Sequence, residues 1–60
     1  MYEITPRVAA VLDAKGIKEE ELQYMVKHSA MSRHHPKFNR RFHDWLFHVV
    51  ESTVLDMRRL

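Results

Sequence analysis

The stretch Phe38–Leu60, FNRRFHDWLFHVVESTVLDMRRL, constrains the fold most, because it runs without a single Gly or Pro. Phe42, Leu46, Val49, Met57 and Leu60, with the methyl of Thr53 between them, recur in steps of three and four. That is the helical period, sustained over several turns. On a helix, Trp45 would widen the apolar stripe on one side, and Phe47, Val50 and Val54 on the other. The resulting arc covers roughly half the circumference, against the ~100° that a surface helix needs. The expectation is a helix from near Pro36–Asn39 to about Met57, at most about 35 Å long.

Punctuation divides the remainder into two shorter helices. Thr5-Pro6 reads as an N-cap followed by proline at the first helical position, and Gly16 as the left-handed residue that closes the helix. Val8, Val11 and Leu12 form its apolar face. Glu19, Glu20 and Glu21 suit the first turn of a second helix, where carboxylates meet exposed N–H groups. Leu22, Met25 and Val26 supply its buried side, with Tyr24 and Met31 half-exposed. The expected fold is therefore all-α: one domain over residues 1–60, with two short N-terminal helices and a long C-terminal one.

Sixty residues and no Cys bound the stability of such a domain. Size scaling predicts a folded surface of about 4,200 Å². Apolar burial of on the order of 95 kcal/mol then faces a conformational cost of about 90 kcal/mol. No disulfide or zinc–thiolate site can supplement that narrow balance, so self-association is expected to.

The candidate interface is the surplus face, Phe38, Trp45, Phe47, Val50 and Val54. Trp45 and Phe47 would lie about 160° apart on a helix, too far for one groove to bury both. These observations predict a symmetric homodimer through the third helices, acting as a small regulatory or adaptor protein that engages another protein. A compact monomer binding a heterologous protein is the alternative that needs no second copy.

Formal charge is +2, with the basic excess at Arg33, Lys37, Arg40 and Arg41. A nucleic-acid-binding protein using this corner is the third reading, since cations beside free helix N–H groups suit phosphate. Residues 6–31 have a helix-turn-helix pattern, but Glu19, Glu20 and Glu21 would face the phosphates there and repel them.

No catalytic residue, cofactor site or metal site is expected. His34, His35, His43 and His48 have no ligand spacing, and neither HExxH nor CxxC occurs. No apolar run is long enough to span a membrane, and MYEITPRV lacks a signal peptide's basic-then-apolar order. A soluble, cytoplasmic protein is expected.

Overall fold

A computed structural model describes residues 1–60 as a two-layer α+β fold of 27 × 22 × 19 Å. The chain runs β1 (Glu3–Ile4), α1 (Pro6–Lys15), α2 (Glu19–Lys27), β2 (Ala30–Met31), β3 (Arg40–Phe42), β4 (Trp45–Val50) and β5 (Thr53–Arg59). One mixed sheet has the order β1-β5-β4-β3-β2, with β1 parallel to β5 and every other pair antiparallel.

Both short helices form where the local signals put them. Thr5 Oγ1 accepts from the Val8 N–H at 3.3 Å and donates to the Leu55 carbonyl at 3.0 Å, so one hydroxyl caps α1 and ties it to β5. Gly16 closes α1 at φ 68, a conformation that costs a residue without a Cβ nothing. In α2, the Glu21 carboxylate accepts the Lys18 N–H at 3.0 Å, satisfying a donor that Lys18 itself has no side-chain acceptor to match.

The long third helix does not exist, and the all-α expectation is overturned: residues 40–59 form three antiparallel strands. Phe42, Trp45, Phe47 and Val49 point to the helices with a period of two, followed by Val54 and Met57 from the neighbouring strand. A bulge between His48 and Val49 skips one residue on β5, which breaks the alternation along that strand. Leu46, on the opposite face, is 1% exposed as well, so Trp45-Leu46-Phe47 reads as an unbroken apolar run. That run and the bulge together imitate steps of three and four.

The hairpins were hidden for a second reason. Each turns on two residues, His43-Asp44 and Glu51-Ser52, with the first at positive φ (55 and 56). Such turns ordinarily carry Gly or Asn there, and this chain uses neither.

One core of Val8, Leu12, Leu22, Val26, Trp45, Phe47, Val49, Val54 and Met57 fills the space between helices and sheet. The 33–39 connection crosses the other sheet face. Lys37 Nζ reaches Asp56 Oδ2 on β5 at 2.9 Å, and Asn39 pairs with the Val49 main chain on β4. Phe38 lies between these tethers, buried outside the helix-side core. The folded surface is 4353 Å², close to the value for a closed monomer of this size.

Candidate functional site

Two of the aromatic residues that remain accessible, Tyr24 and Phe42, meet where α2 approaches the end of the β3–β4 hairpin. Glu20, Tyr24 and His28 follow one another at helical spacing of four, as do Glu21 and Met25, so α2 presents an exposed stripe beside its buried one. The Tyr24 ring is 4.3 Å from His28 and meets Phe42 edge-on at 6.0 Å. Phe42 in turn meets His43 edge-on at 4.4 Å. Ile17, brought in by the turn after Gly16, completes an open groove of about 560 Å³ lined by Ile17, Glu20, Glu21, Tyr24, Met25, Phe42 and Trp45.

The hairpin end of this groove is held in place electrostatically. Arg59 Nε donates to Asp44 Oδ2 at 2.8 Å, and its guanidinium lies 5.5 Å from the centre of the Trp45 ring. The Leu60 N–H donates to the Asp44 carbonyl at 2.7 Å. The Arg59 hydrogen bond holds the Asp44 carboxyl below the ordinary 3.8, more strongly than desolvation raises it. On the rim, Glu20 and Glu21 take no part in any of the three ion pairs, which join Arg7 and Lys37 to Asp56 and Arg59 to Asp44. An apolar, aromatic floor beneath two carboxylates that no cation neutralises, Glu21 also capping α2 through the Lys18 N–H, can hold an apolar anchor flanked by cations.

A second cleft of about 580 Å³ is lined by Met1, Tyr2, Gln23, Tyr24, Lys27, Glu51 and Ser52. Four of its seven lining residues, Gln23, Lys27, Glu51 and Ser52, are polar, and Met1 is fully exposed, so fewer apolar side chains line it than the groove beside Phe42 and Trp45. Nowhere do three or more His, Asp or Glu side chains come close enough to hold a metal ion.

The residues expected to form an interface lie mostly inside. Phe47 and Val54 are fully buried, Trp45 and Phe38 are each 8% exposed, and only Val50, at 48%, faces solvent. Phe47, Val54 and Trp45 do come together, as core. The basic corner is dispersed. Lys37 is bound to Asp56, and Arg40 stands on the helix side with Nη1 3.5 Å from Ser29 Oγ. Arg41 lies on the opposite face, its Nε donating to the His43 carbonyl at 2.8 Å, and Arg33 is exposed in the connection. Sequence reasoning missed Ile17, Met25, Glu20, Glu21 and Tyr24 as a groove. The signal available was the four-residue spacing of Glu20, Tyr24 and His28, which has no use in a buried face.

No helix is long and apolar enough to cross a membrane. Compared with family models, curated proteins and solved structures, the chain finds no match.

Proposed function

We propose that this chain is a non-enzymatic protein-interaction module whose groove between α2 and the β3–β4 hairpin receives a basic, apolar-anchored segment of another protein. The observation that carries this reading is the pairing of chemistry at one place. Tyr24, Phe42 and Trp45 supply the aromatic floor, and Glu20 and Glu21, neither in an ion pair, the negative rim. Aromatic residues in a partly desolvated groove are the usual anchors of binding energy, and rim charges select the partner and speed its approach. The polar groups of the groove are the Glu20 and Glu21 carboxylates and the Tyr24 hydroxyl, which supply charge and hydrogen-bonding capacity at its rim. We take the partner to be a different protein, since Phe38, Phe47 and Val54, the side chains expected to join two copies, are covered within one copy.

Trp45 is the only tryptophan and lines the groove, so its fluorescence reports occupancy. A short amphipathic peptide of Lys, Arg and Leu is expected to shift that emission saturably, and a peptide with Glu in place of Lys and Arg is not. Glu20→Lys should weaken the basic peptide about tenfold. Equal binding of the acidic peptide, or no response up to about 1 mM, would overturn the reading.

A further inference from the structure

The sheet face turned away from the helices carries a charge distribution that the groove does not use. Ladder register places Arg41, Leu46 and Arg58 in one row across β3, β4 and β5, and alternation with the core residues puts that row on the outer face. Two strand spacings separate the two arginines by about 10 Å. Beyond β3, Arg41 shares a shallow pocket of about 350 Å³ with Ala30, Met31, Ser32, His34 and His43. Arg33 precedes that histidine in the same connection and is exposed.

None of Arg33, Arg41 and Arg58 takes part in an ion pair. The carboxylates nearest to them are already occupied, Asp44 by Arg59 and Asp56 by Lys37 and Arg7. The exposed acid of this face, Glu3, lies at its opposite end, paired in register with Thr53 beside the β4–β5 turn. From the Leu46 row to the Val50 row is four residues, or about 13 Å, so the arginines hold a basic half of the face that lies away from Glu3.

We propose that the basic half, centred on Arg33, Arg41 and Arg58, binds the phosphate backbone of a nucleic acid without reading its sequence. The choice of partner class follows from what the patch lacks. Leu46, at its centre, is 1% exposed, and Phe38, the aromatic residue of this face, is 8% exposed. A protein partner needs an apolar anchor at the centre of its site, and a membrane needs several side chains that can insert. The one large exposed apolar side chain here, Met31, stands instead at the rim on the two-residue edge strand β2. Stacking on bases needs an open aromatic face. Cations alone suit a repeating anion, and the contact is with phosphates, which position a nucleic acid but carry no sequence information.

The test is fluorescence anisotropy with labelled single-stranded RNA and duplex DNA of mixed sequence, between about 50 and 200 mM salt. Three phosphate contacts predict a slope of log K against log salt of about −2 to −3, so affinity falls about 20- to 40-fold across that range. The steeper end is expected for duplex and the shallower for single strands. Arg58→Gln and Arg33→Gln, both at exposed positions outside any ion pair, should each reduce the slope by about 0.7–0.9 with an unchanged far-UV spectrum. Arg41→Lys, which keeps the charge, should retain the slope.

A slope that the two Gln variants leave unchanged would overturn the assignment, as would no binding at about 100 µM protein. Poly-glutamate or phosphatidylserine-containing vesicles binding as tightly as nucleic acid would overturn it in favour of an acidic protein or a lipid surface. Because Glu20 lies in the groove on the other layer, Glu20→Lys separates the two sites. A response of nucleic-acid binding to the Arg variants, but not of peptide binding, is expected.

Discussion

The Asn39 side chain takes the place of a strand residue opposite Val49. Its Nδ2 donates to the Val49 carbonyl at 2.8 Å, and its Oδ1 accepts the Val49 N–H at 2.9 Å. The β3–β4 ladder gains one further rung while the main chain leaves the sheet to cross its outer face. An amide is the one side chain of this length that can both donate and accept in this way. Asn39→Asp keeps the size but turns the donor into a second acceptor facing the Val49 carbonyl. It is expected to destabilise by about 2–3 kcal/mol in urea denaturation, with Asn39→Ala costing about as much.

Phe47 is the largest fully buried side chain, packed between helices and sheet rather than offered to a second copy. Phe47→Ala should cost about 3–5 kcal/mol, and Phe47→Asp should leave no folded population, by far-UV spectrum and thermal melt. A folded, stable Phe47→Asp protein would place this residue at a surface.

Glu51 opens the β4–β5 turn at φ 56, where a Cβ crowds the following carbonyl. Glu51→Gly relieves that crowding at some cost in unfolded-chain entropy. A net gain of about 0.5–1 kcal/mol is expected, seen as a rise in Tm of about 2–8 °C.

Acid should weaken the fold through Asp56. The Lys37 hydrogen bond, opposed by burial, holds its carboxyl below the ordinary 3.8. A carboxyl lowered on folding stabilises fully above its unfolded value, and that contribution is lost as pH falls through the folded value. Urea-derived stability should therefore fall below about pH 4. Asp56→Asn is expected to lose about 1 kcal/mol near neutral pH and to flatten this acid limb. Lys37→Gln should flatten it too.

How far the fold was legible in the sequence follows from where its information lies. Thr5, Pro6, Gly16 and the Glu19–Glu21 cluster act within a turn of themselves, so both helices could be read directly. The sheet depends on contacts that no short window contains. Leu46 is buried on the sheet face that the 33–39 connection crosses, tied to β5 through Lys37 and Asp56, and the β5 bulge offsets Val54 from Met57. With both sheet faces apolar at Trp45-Leu46-Phe47, alternation vanished, and His43 and Glu51 stood where Gly would have announced hairpins. The groove shares that fate, since Phe42 and Trp45 meet Tyr24 only after β3 and β4 pair. Arg58, paired in register with Leu46, became part of a basic face for the same reason.

The most direct test of the binding account is an amide chemical-shift map of the labelled protein titrated with the Lys/Arg/Leu peptide. The account predicts the largest changes at Ile17, Glu20, Tyr24, Met25, Phe42 and the Trp45 indole, with Arg41, Leu46 and Arg58 unmoved. Changes confined to the outer sheet face, or no saturable change at the groove, would contradict it.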